Sequence, residues 1–96
     1  METTGLEFIM AKAVIGNRRS GFEIAHEILS LCDDGGTNKT AIMYGSNLSY
    51  RQLQRYLSLL SSQELIYRND DGRFQLTAEG EKALGHLSRA MRTFRN

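Results

Sequence analysis

Arg51, Gln54, Arg55 and Ser58 follow one another at intervals of three, one and three residues, so a helical chain would carry them on one face. Their chemistry is that of base-edge recognition. A guanidinium can give two parallel N–H donors to guanine O6 and N7, and a carboxamide can pair with adenine N6 and N7 in the DNA major groove. The same four residues would also make an ordinary solvated helix face, so the elements that position them have to decide.

The stretch from Asn47 to Gln63, NLSYRQLQRYLSLLSSQ, has the signals of a helix. Ser49 is a good N-cap, Gln52 three residues on completes a capping box, and Leu48 before the cap can staple the start. Leu53, Tyr56, Leu57 and Leu60 form one apolar stripe, while Arg51, Gln54, Arg55, Ser58 and Ser62 fall opposite. A helix of about 14 residues, ~21 Å long, is long enough to lie in a major groove.

Composition narrows the alternatives. At 96 residues the chain has material for one core, and its 41 % apolar share argues against general disorder. The net charge of +1 argues against a non-specific coat protein held by charge excess and leaves room only for a local basic surface. Between Asn38 and Arg68, Lys39, Arg51, Arg55 and Arg68 face Glu64 alone. Cys32 is the single cysteine, which rules out an internal disulfide and a paired-cysteine metal site and suggests a reducing compartment. The apolar run Phe8 to Ile15 is interrupted by Lys12 and too short to span a bilayer, so a cytoplasmic protein with no membrane partner is expected.

Taken in order, Leu6, Ile9, Met10, Ala13 and Val14 suggest a short amphipathic helix ending near Gly16 and Asn17. Ser20 and Glu23 form another capping box, opening a helix whose buried stripe is Phe22, Ala25, Ile28, Leu29 and Cys32 and which stops at Asp33-Asp34-Gly35-Gly36. Cys32 reads as a small core residue, with Asp33 and Asp34 raising its pKa. Thr37 or Asn38 caps a short helix through Ala41 to Tyr44, broken at Gly45, with Gly45 or Asn47 able to take φ > 0. Short helix, tight turn and capped helix together have helix-turn-helix spacing.

Leu65 to Tyr67 and Arg73 to Leu76 read as two strands around Asp71-Gly72, a hairpin turn signal. Arg68 and Arg73 stand at its shoulders and Asp70 and Asp71 at its tip. Thr77 caps a last helix from Ala78 to about Arg95, in which positions 80, 84, 87, 91 and 94 alternate steps of four and three. That 3.5-residue period marks packing against another helix, and Leu84, Leu87, Met91 and Phe94 are expected to form a homodimer seam.

The order of elements is that of a winged helix-turn-helix. The run KTAIMYGSNLSYRQLQRYLSLL from Lys39 to Leu60, with ELIY at Glu64 and FQLTAEGEKAL from Phe74, resembles an archaeal winged-helix DNA-binding family over residues 20 to 88. The resemblance implies a transcriptional regulator or chromatin-associated protein. It also exposes a departure at Glu64, where relatives usually have the glycine suited to a left-handed helix stop.

The resulting expectation is a mainly α fold with a small β-hairpin, organised as an N-terminal helical extension (1–17), a winged helix-turn-helix domain (18–77) and a C-terminal dimerisation helix (78–96). Double-stranded DNA is the expected partner of a nucleoid-associated homodimer, with residues 49–63 as recognition helix and 65–76 as wing. Arg51, Gln54, Arg55 and Ser58 face the groove, Lys39, Ser49 and Tyr50 hold backbone phosphates, and Arg68 and Arg73 flank them. The alternative is a protein-interaction module on the same scaffold. No cofactor, metal or catalytic constellation is expected, since His26 and His86 lie on different predicted helices without metal-spaced neighbours.

Overall fold

A computed structural model describes the backbone of residues 19–95 and side chains as far as Thr93. The expected N-terminal helix therefore lies outside the described residues. From Ser20 onward the elements are α1 (Gly21–Cys32), α2 (Lys39–Gly45), α3 (Tyr50–Ser62), β1 (Ile66–Arg68), β2 (Phe74–Leu76) and α4 (Ala78–Arg95). This is the mainly α architecture with one small antiparallel hairpin that the spacing predicts.

Local chemistry starts each helix. Ser20 Oγ accepts from the Glu23 N–H at 3.2 Å while Glu23 Oε1 accepts from the Ser20 N–H, closing the capping box of α1. Asn38, rather than Thr37, caps α2, its Oδ1 accepting from the Ala41 N–H at 2.7 Å. Thr37 instead pairs with β2, exchanging two backbone hydrogen bonds with Phe74 at 3.0 and 2.7 Å. Three successive positive φ angles, at Asp34, Gly35 and Gly36, bring Thr37 there. A Cβ on Gly36 would lie 2.8 Å from the Phe74 carbonyl oxygen, so the close approach requires glycine.

The α3 helix stops in a Schellman motif. Leu65 N–H donates to Leu60 O and Glu64 N–H to Ser61 O, both at 2.9 Å, with Glu64 left-handed at φ 58°. The hairpin follows at once, with Ile66 opposite Leu76, Tyr67 opposite Gln75 and Arg68 opposite Phe74. Asn69 fixes its turn: Oδ1 accepts from the N–H groups of Asp71 and Arg73, and Gly72 takes φ 80°. Thr77 then fastens α4 to the α3 stop, giving its N–H to Leu65 O and its hydroxyl to Glu64 O while accepting from the Gly80 N–H. Gly80 passes so close that a Cβ there would sit 1.9 Å from Leu65 O.

One continuous core results, in which Ile24, Ile28, Leu29, Ile42, Leu53, Leu60 and Leu87 are all but sealed from solvent. Leu87 corrects the expected seam. It is 0 % exposed and belongs to the chain's own core, and Leu84 is partly buried against that core, because α4 packs on α1 of the same chain. The 3.5-residue period signalled a helix partner correctly and said nothing about which chain supplies it. Met91 is half-buried, and the side chain of Phe94 lies outside the described residues.

Two substitutions test these backbone constraints. Glu64→Gly relieves the left-handed cap and is expected to stabilise by about 1 kcal/mol, raising the melting temperature by roughly 4–8 °C. Gly80→Ala is expected to lose about 1–3 kcal/mol or more, because the carbonyl it strikes is held by Thr77. Thermal melts followed by circular dichroism read both, and a neutral Gly80→Ala would contradict the packing of α4 described above.

Candidate nucleic-acid interface

The α3 helix is two-sided. Leu53, Tyr56, Leu57 and Leu60 are buried, and Arg51, Gln54, Arg55 and Ser58 are exposed on the opposite side. At 3.6 residues per turn the four polar residues span about 100° of the helix circumference. The structure thus brings all four together on one solvent-facing stripe.

Its N-terminal end is built from two helices. Leu48 is buried beneath the cap, and Asn47 takes φ 54° to turn the chain from α2 into α3. Ser49 Oγ accepts from the Gln52 N–H at 3.2 Å and Gln52 Oε1 from the Ser49 N–H at 3.0 Å, so the Ser49 side chain has a structural task. Lys39, at the start of α2, places Nζ 5.8 Å from the centroid of the Tyr50 ring, within cation–π range. Tyr50 is itself 59 % exposed. Lys39, Ser49, Tyr50 and Arg51 therefore sit where the two helices begin, next to the positive end of the α3 dipole.

The hairpin treats its two arginines differently. Arg68 turns back on the hairpin: Nε donates to Gly72 O at 3.2 Å and the guanidinium carbon lies 5.4 Å from the Phe74 ring centroid. The Arg73 side chain is exposed. Across the same strand pair, Tyr67 Oη and Asn69 Nδ2 both donate to Gln75 Oε1, at 3.1 and 2.9 Å. These bonds stiffen the wing and occupy its polar groups.

Three residues escaped the sequence pattern. Tyr44 at the end of α2 is 75 % exposed, and Tyr67 on β1 is also exposed, each offering a phenol. The sequence pattern read Tyr44 only as the end of a short helix and Tyr67 only as part of a strand, with no signal for their exposure. Arg19, just before the α1 cap, reaches the turn between α2 and α3, a contact that exists only in the folded chain.

Other chemistry is set by burial. Cys32 is buried, and loss of solvation pushes its thiol up to about 12, so burial rather than Asp33 and Asp34 is the cause. Burial also raises the Tyr56 phenol, against the opposing pull of the Arg19 and Arg55 charges. His26 Nε2 lies 3.0 Å from Ser88 Oγ, tying α1 to α4 beside a groove that Met91 also lines. Among the described residues no cluster of three His, Cys, Asp or Glu could hold a metal ion, and no helix is long and apolar enough to cross a membrane.

Comparison with known proteins places this geometry. Residues 18–95 match a family model described as winged helix-turn-helix. Two uncharacterized proteins of Methanocaldococcus jannaschii are similar. MJ0287 is 39 % identical over 70 residues, 73 % of this chain and 71 % of that protein. MJ0290 is 33 % identical over 75 residues, covering 78 % of this chain but only 35 % of that protein. Among solved structures, Sso10a-2, a DNA-binding protein from Sulfolobus solfataricus, superposes with a TM-score of 0.71 at 25 % identity, covering 81 % of this chain and 84 % of that one. A protein with unknown function from Listeria innocua shares the fold, with a TM-score of 0.65 at 14 % identity over 92 % of this chain and 64 % of that one.

The Cys32 environment predicts a pH effect. The folded thiol stays protonated to about 12 while the unfolded one ionises near 9.0. Its contribution to stability is therefore complete below the unfolded value and is lost as pH rises from there through the folded value. Denaturant titrations should show a steeper alkaline loss of stability for the natural chain than for Cys32→Val. Equal slopes would mean that the thiol is not desolvated.

Proposed function

The chain belongs to the winged helix-turn-helix family, and on that premise we propose that it is a sequence-selective, double-stranded DNA-binding protein that acts as a homodimer in transcriptional regulation. The observation that carries the reading is the exposed stripe of Arg51, Gln54, Arg55 and Ser58, set opposite the buried stripe of the same helix. The structural neighbour Sso10a-2, described as DNA-binding, supports it.

In this reading α3 enters the major groove. Arg51 and Arg55 meet guanine edges or phosphates, Gln54 pairs with adenine, and Ser58 takes a base or phosphate at the far end. Lys39 and Tyr50 hold the phosphate backbone beside the start of α3, with the Ser49 cap fixing that end. Arg73 reaches the flanking backbone from the wing, and Arg68 contributes its charge while remaining folded against Phe74. Leu84, Met91 and Phe94 remain as seam residues, now without Leu87. A nucleoid-associated place in the cytoplasm follows from this function.

A second reading keeps the fold as a protein-interaction module. It is favoured by the acidic wing tip, Asp70 and Asp71, and by the internal engagement of Arg68. Mobility shifts on random duplex at low salt separate the two, because a DNA-binding protein retains non-specific affinity there.

Neutralising about four phosphates per subunit implies a salt slope near −3.6 per subunit. Arg51→Ala combined with Arg55→Ala is expected to weaken binding at least about tenfold and to flatten that slope by up to ~1 for each arginine that meets a phosphate. Binding unchanged in both affinity and slope would remove α3 from the interface.

A further inference from the structure

We propose that Arg19 is a positioning residue for α3, its guanidinium stapling the start of α1 to the turn between α2 and α3 and so setting the angle at which the Arg51 to Ser58 stripe is presented. The functional consequence rests on the DNA-binding reading; the mechanical role does not.

The contacts span separate elements. Nη1 pairs with the Glu27 carboxylate two turns along α1, and Nη2 donates to the Ser46 carbonyl and, at 3.4 Å, to the Asn47 carbonyl. Two consecutive carbonyls converge on one nitrogen because the chain turns sharply there, with Asn47 at φ 54°. Ser46 is 0 % exposed and gives its own hydroxyl to Ile42 O, so its carbonyl depends on a protein donor rather than water. The positive charge of Arg19 is also felt at Tyr56, on the buried side of α3.

Guanidinium geometry suits the task. Its planar fork gives separate donors to a carboxylate and to carbonyls at once, whereas an ammonium offers one point charge. Glu27 neutralises the charge locally, which leaves Arg19 a poor phosphate ligand. The turn it grips carries Leu48 and Ser49, the staple and cap of α3, so a displacement there tilts the whole polar stripe.

Arg19→Met keeps the aliphatic stem and removes the fork. Amide hydrogen exchange is expected to accelerate at Asn47 and Leu48, whose N–H groups bond Tyr44 O and Met43 O, by more than in the core of α1. On DNA, the ratio of affinities for a selected duplex over a random one is expected to fall on the order of tenfold, the loss of one well-aligned base contact. The salt slope should stay constant. Arg19→Lys should restore little, and Glu27→Gln, for use if Arg19→Met does not fold, should show the same pattern more weakly. Unchanged or uniformly accelerated exchange would overturn the proposal, as would a salt slope reduced by about one. If the natural chain binds neither duplex, the DNA reading fails alone, and local exchange at Asn47 and Leu48 still decides for or against the staple.

Discussion

The structure depends on α3 being buried along one side. Leu53, Tyr56, Leu57 and Leu60 each leave water there, an effect of about 1.5–3 kcal/mol for a fully buried side chain. Sliding the helix by one residue would rotate it by about 100° and carry charged side chains toward the core, where an unpaired charge is prohibitively costly. The hydrophobic effect thus fixes the rotation of Arg51, Gln54, Arg55 and Ser58 without touching them. The two ends fix its length. The Ser49–Gln52 capping box sets the start, and the stop at Glu64 holds even though the residue there pays for a left-handed conformation.

From that stop the rest of the chain is hung on backbone contacts. Leu65 O receives the Thr77 N–H and lies against Gly80, so the end of α3, the end of the hairpin and the start of α4 meet at one carbonyl. On the other side, Thr37 binds β2 through Phe74 and thereby ties the α1–α2 loop to the wing. The hairpin is held at its base from both directions. Its tip is closed by Asn69 and carries Asp70 and Asp71, and of its two exposed arginines Arg68 is folded back onto Gly72 and Phe74, so the wing presents a rigid body rather than a broad basic surface.

Much of this was legible in the residues. Capping boxes, apolar stripes and the Asp-Gly turn are local signals, and they located α1, α3 and the hairpin because each is decided within a few residues. The turn residues left Gly45 or Asn47 open for a positive φ, which Asn47 takes, and the left-handed stop at Glu64 was suggested by the family resemblance rather than by its own residue type. What the sequence concealed is non-local. Thr37 resembles a helix cap until Phe74 is beside it, and Arg19 looks like a loop charge until the turn at Ser46 folds under it. Leu87 is the most instructive case: a 3.5-residue repeat reports that a helix has a helical partner, and here α4 packs on α1 of the same chain and Leu87 is sealed in that chain's own core. Charge spacing, likewise, could not tell that Arg68 folds onto Phe74.

In the proposed homodimer, a narrow stripe of four polar side chains gains selectivity because a second copy presents the same stripe a helical turn of DNA away. Selection of bound sequences from a random duplex pool tests this most directly. Sequence-selective binding by the proposed homodimer predicts enrichment of a two-fold symmetric motif with guanine and adenine in each half-site, the half-sites separated by about 10 base pairs or a multiple of it. A pool that emerges with the composition it started from would contradict sequence-selective binding by α3.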